Sequence, residues 1–118
     1  MVMADPTQVD LLKAGVEGWN AWREANPEAE VDLGGADLRY AILRGADLRG
    51  AILSEADLGG AYLYAANLGG ADLRSANLIG ANLMGADLRS ANLCYADLRY
   101  ANLSDADLHD ANMSDAIR

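Results

Sequence analysis

From residue 31 onward, apolar and polar positions alternate with a period of five. Ala recurs at every fifth position from Ala36 to Ala116, and Leu follows two places later without a miss from Leu33 to Leu108. Val31 takes the first Ala place and Met113 the last Leu place. Five residues of an α-helix turn by about 500°, so successive Leu would spread over every face. In a flat strand, where the side-chain period is two, they would alternate between faces. The period therefore implies a chain that bends once per repeat, so that every Leu faces one interior. The variable pairs suit such bends. They include Gly34-Gly35, Gly59-Gly60 and Gly69-Gly70, with further Gly, Ser or Asp at the second place of most other repeats, types that tolerate turns and positive φ. Straight sides joined by four corners would close a twenty-residue square, and stacked squares would pair as parallel strands.

Ahead of the repeats, residues 6 to 25 read as one helix. Asp5 and Gln8 have the spacing of a capping box, and Pro6 suits the first turn. Val9, Leu12, Val16 and Trp19 make an apolar stripe joined by Trp22, and Asn26-Pro27 ends the element. The expected division is residues 1–30 as a helix capping the first coil and 31–118 as the repeat body. A lid there would cover Val31, Leu33 and the backbone groups of the first coil.

The segments ADLRY, ADLRG, ADLGG, ANLGG and ANLMG resemble those of the pentapeptide-repeat family over residues 31 to about 117. The resemblance implies four repeats per coil and a right hand, and hence an all-β fold: a right-handed quadrilateral parallel β-helix of about four coils with an N-terminal capping α-helix. It also implies that Leu and the preceding Ala point inward and the other three positions outward. The leader LLKAGVEGWNAWREANP is similar to one that precedes some coils of the family.

Composition narrows the function. The net charge of −9 opposes direct nucleic-acid binding and adhesion to anionic membranes, both of which need positive charge. No apolar run is long enough to span a bilayer, and Met1 to Asp5 lacks the start of a secretory signal. Cys94 is the only cysteine, which fits a reducing compartment, and a cytoplasmic location is expected. Asp37 and Arg39, Asp47 and Arg49, Asp72 and Arg74, Asp87 and Arg89, and Asp97 and Arg99 stand two residues apart, a spacing that puts each pair on the same outer side.

That pairing bears on the best-known activity the resemblance implies, mimicry of duplex DNA by proteins that inhibit or protect a type II topoisomerase. Locally matched Arg cancels the acidic ladders such mimicry needs, the rod is short, and the chain has no Phe. The mimic is the alternative reading; the first is a non-enzymatic scaffold that binds protein.

Candidate interaction residues come from departures in the repeat. Ile42, Ile52 and Tyr62 stand where Asp or Asn is expected. With residues twenty apart stacked, Ile42 and Tyr62 fall on the third side beside Tyr64 and Met84, with Tyr40 and Ile79 near the same corner. Such a patch marks an interaction site or stabilises the stack by itself. At the other end, Ala111, Met113, Ala116 and Ile117 form a candidate edge for a homodimer, opposed by Asp105, Asp107, Asp110 and Asp115. No catalytic, metal or cofactor constellation is expected. His109 between Asp107 and Asp110 reads as a solvated side chain, Cys94 as an exposed thiol without an activating His, and the repeat serines lack a basic partner. The partner is left as an unknown protein.

Overall fold

The computed structural model describes residues 4–118, so Met1 to Met3, with their share of the N-terminal reading, lie outside it. Two short α-helices come first. Asp5 caps α1 (Pro6–Ala14), its carboxylate accepting from Thr7 N at 2.9 Å and Gln8 N at 3.3 Å, with Pro6 in the first turn. α2 (Val16–Ala25) follows directly. The single helix expected over 6 to 25 is thus broken at Gly15, whose φ of 149° few other residues adopt.

The expectation of an all-β fold, a quadrilateral parallel β-helix, is corrected here. Among the described residues there is no β-strand, and the two helices are the only regular elements. The repeats are joined by isolated parallel bridges, one residue each, between positions twenty apart: Asp32 to Ile52, Asp37 to Asp57, Ile42 to Tyr62, Asp47 to Asn67, and onward to Asp97 with Ile117. The reason is the short period. Two residues of every five are consumed by a turn, so a ladder is cut before it extends along the chain. The repeat body is a stack of turns tied by single-residue bridges. Residues 31–35, 36–40, 41–45 and 46–50 are the four sides of its first coil.

Each corner is a four-residue turn closed by a backbone bond, such as Ala36 N to Leu33 O at 3.1 Å, with positive φ at its third residue. Gly fills that place at Gly35, Gly45 and Gly50. Tyr40, Glu55, Ala65, Tyr95 and Tyr100 take it as well, with φ between 55° and 64°. Between coils, the bridging residue donates its N–H to the carbonyl 21 residues earlier, as Ile52 does to Val31 at 2.8 Å. The next residue donates onward, as Leu33 does to the Ile52 carbonyl at 2.7 Å.

Inside, the leucines from Leu33 to Leu93 have no exposed surface, with the Ala of each repeat packed between them. A fully buried Leu is worth about 1.5–3 kcal/mol, so the column of leucines is the main stabilising term. Leu12 and Trp19 join the same core from α1 and α2. In the last coil Leu103, Leu108 and Met113 are only half-buried.

Candidate functional site

The side chain at the bridging place has a local task. Every Asp or Asn there, from Asp32 to Asn112, accepts through Oδ1 from the backbone N–H two residues on, at 2.9–3.3 Å. This bond occupies the N–H that enters each corner. Sequence reasoning treated the position as an outer polar one and missed the bond, although Asp or Asn immediately before a turn is its signal. Ile42, Ile52 and Tyr62 cannot make it.

On the third side the Ile42–Tyr62 bridge brings two of the departures together. Ile42 is 75% exposed, Tyr62 53% and Tyr64 38%. The Arg44 guanidinium lies 5.0 Å from the centre of the Tyr64 ring, close enough for a cation–π contact. Ile42, Arg44, Tyr62, Tyr64 and Asn82 line one shallow hollow of about 410 Å³. The other expected members are placed differently. Met84 and Ile79 are half-buried, and exposed Tyr40 lies beyond the corner, its ring over Gly60. A Cβ on Gly60 would stand 2.5 Å from Tyr40 Cε1. Tyr95 and Tyr100, 64% and 90% exposed, stand at positive-φ corners as Tyr40 does, in repeats that keep Asp or Asn at the bridging place, so the departures in the repeat do not point to them.

The Asp–Arg spacing produces two-pronged ion pairs. In the Asp37–Arg39 pair, Nε donates to Oδ1 and Nη2 to Oδ2, both at 2.8 Å, and Asp47, Asp72, Asp87 and Asp97 are held alike. The hydrogen-bonded arginine draws each of these carboxylates below its ordinary pKa. Lys13, Arg44 and Arg118 are the cationic side chains with no ion pair among the described residues.

At the first coil, side chains of α1 and α2 stand in for a preceding coil. Asp32 N donates to Gln8 Oε1 at 2.7 Å, and Gln8 Nε2 donates to the Glu30 carbonyl at 2.8 Å. Gln8 is therefore turned to the coil and does not complete a capping box. Trp19 Nε1 donates to the Asp47 carbonyl at 2.8 Å, Asn20 Oδ1 accepts from Asp47 N at 2.8 Å, and Arg23 donates to the Arg49 carbonyl at 2.7 Å. The first and fourth sides are served in this way.

At the far end Ala111, Met113 and Ala116 are half-buried and Ile117 is 49% exposed. Cys94, expected as an exposed thiol, is half-buried. His109 Nε2 lies 3.5 Å from Asp110 on an exposed corner. No cluster of His, Cys, Asp or Glu able to hold a metal occurs among the described residues, and none of their helices is long and apolar enough to cross a membrane.

The sequence profile described as "Pentapeptide repeats (8 copies)" matches residues 32–70, 51–89 and 86–117, and the chain belongs to this family. Among solved structures, a pentapeptide repeat protein from Nostoc PCC 7120 is 44% identical with a TM-score of 0.66, over 74% of this chain and 72% of that one. One from the Arabidopsis thaliana thylakoid lumen is 32% identical with a TM-score of 0.68, over 70% of this chain. Another, from the cyanobacterium Cyanothece 51142, is 40% identical with a TM-score of 0.50, also over 70% of this chain. The chain spans 58% of the Arabidopsis protein and 54% of the Cyanothece one. No curated protein matches it. Family membership makes it a pentapeptide-repeat protein.

Proposed function

We propose that the chain is a protein-binding scaffold whose third side is the contact surface. The observation that carries this reading is the exposed group Ile42, Tyr62 and Tyr64, of which Ile42 and Tyr62 take the place in the repeat where Asp or Asn otherwise bonds the corner. Giving up that bond twice on one side, in exchange for apolar side chains open to water, is a cost to the isolated chain that a partner would offset. The two-pronged Asp–Arg pairs favour this reading over DNA mimicry, because the carboxylates they hold are neutralised rather than displayed.

The test is the double variant Tyr62→Asp with Tyr64→Ser in affinity capture from the native cell. Proteins retained by the wild type should be lost, while the melting temperature moves by less than about 4 °C, the shift of roughly 1 kcal/mol in a domain of this size. A collapse in melting with capture intact would assign the patch to the stability of the stack.

A further inference from the structure

The first coil is completed by α1 and α2 on two of its four sides only. In the stack, a bridging residue uses its N–H, its carbonyl and the carbonyl two residues later to join the coil before it. On the third side of the first coil these groups are the Ile42 N–H, the Ile42 carbonyl and the Arg44 carbonyl. None of them has a partner among the described residues. The second side is also unserved, but its outward groups, Asp37 and Arg39, are locked onto one another. The third side thus presents an unpaired rung whose outward side chain, Ile42, is exposed and apolar.

Two hollows meet at this rung. One, of about 500 Å³, lies between the α1–α2 junction and the third side, lined by Leu12, Lys13, Val16, Ile42 and Arg44 among others. The other is the shallow hollow beneath Tyr62 and Tyr64. They share Ile42 and Arg44, and no Asp or Glu lines either one. In a chain of net charge −9 this is a local reversal of sign. Two of the three unpaired cations, Lys13 and Arg44, stand here.

We propose that the third side docks an extended, acidic segment of a partner protein, which pairs its backbone with Ile42 and Arg44 and continues the stack by one rung. This rests on the reading of the third side as a contact surface and names the chemistry of what it contacts. An extended segment matches the unpaired donor and acceptors, and its side chains alternate between opposite directions. An apolar side chain of such a segment would cover Ile42 and Tyr62, and a carboxylate would reach Arg44 or Lys13. Charge complementarity excludes a basic segment, which Lys13 and Arg44 would repel.

The probe is a fluorescein-labelled heptapeptide of alternating Leu and Glu, followed by anisotropy with the full chain. Two controls have the same length: alternating Leu and Lys, and the Leu–Glu peptide with alternate backbone nitrogens methylated. The expected result is saturable binding of the first and at least tenfold weaker binding of both controls. Lys13→Glu with Arg44→Glu should then reverse the charge preference, and Lys13→Gln with Arg44→Gln serves if the reversal lowers the melting temperature. Equal binding of the acidic and basic peptides, no binding of the acidic one, or indifference to methylation overturns the proposal. Binding of the basic peptide that Tyr62→Asp with Tyr64→Ser abolishes would overturn the acidic class alone and leave the contact surface standing. Acidic binding that ignores the tyrosine variant but needs Arg44 would remove the aromatic surface instead. Self-association in sedimentation that disappears in Arg44→Glu would replace the foreign segment with a second copy.

Discussion

Tyr40, Tyr95 and Tyr100 share a backbone conformation with the corner glycines, and their side chains gain little from it. Tyr100 is 90% exposed at a φ of 64°. A non-glycine residue in the left-handed region costs about 1–2 kcal/mol, part of which a glycine returns through the greater freedom of the unfolded chain. Tyr100→Gly should therefore raise stability, by about 0.5–1 kcal/mol in urea unfolding. Gly50→Ala is the mirror experiment. A Cβ there meets nothing within 4 Å, so only backbone strain is added, and a loss of about 1 kcal/mol is expected. A destabilised Tyr100→Gly would mean that the ring makes a contact worth more than the strain.

Between α1, α2 and the first coil the contacts are side chain to backbone, which makes them separable from packing. Trp19 is fully buried and donates to the Asp47 carbonyl. Trp19→Phe keeps most of the apolar contact but leaves that carbonyl short of a donor, so a loss of about 1–3 kcal/mol is expected in thermal or denaturant unfolding. No loss would mean that water replaces the indole. This level was the least legible in the sequence. The Leu and Ala columns could be read directly, because burial of one side chain in five forces a bend whatever the backbone pairing. That Gln8 turns to Asp32 instead of closing a capping box, or that Gly15 divides the helix, depends on which backbone groups the first coil leaves open, and a period does not carry that. The same gap explains the missing strands. Inward positions follow from hydrophobicity, whereas ladder length depends on how many residues each turn consumes. On the third side the broken Asp/Asn place points to Ile42 and Tyr62, with Tyr64 beside them, whereas the placing of Arg44 and Lys13 around the same rung shows only in the hollows.

For the whole molecule, the five held carboxylates set the response to acid. Hydrogen bonds from Arg39, Arg49, Arg74, Arg89 and Arg99 lower the pKa of their Asp partners in the folded chain. A depressed folded-state pKa contributes stability that is present above the unfolded value and lost as pH falls through the folded one. Melting temperature should therefore be insensitive to these groups between pH 5 and 8 and fall below about pH 4, where unfolded Asp takes up protons. The exposure of the pairs keeps the drop small, and Arg89→Gln should flatten it further. A decline that begins near pH 6 would point to other groups.

The twenty-residue spacing of the bridges has a consequence for descent with change. Inside, the repeats from Ala36 to Asp110 are interchangeable, since each offers one Ala and one Leu. Outside, a residue's compass bearing is its position counted modulo twenty. Gaining or losing one pentapeptide is therefore silent to the interior, yet it swings everything downstream by one side. Such an event between Ile42 and Tyr62 would carry the tyrosines away from the isoleucine, whereas a block of four repeats would restore the bearing and only lengthen the column. Surfaces on such a molecule can be re-dialled without redesigning what holds them up.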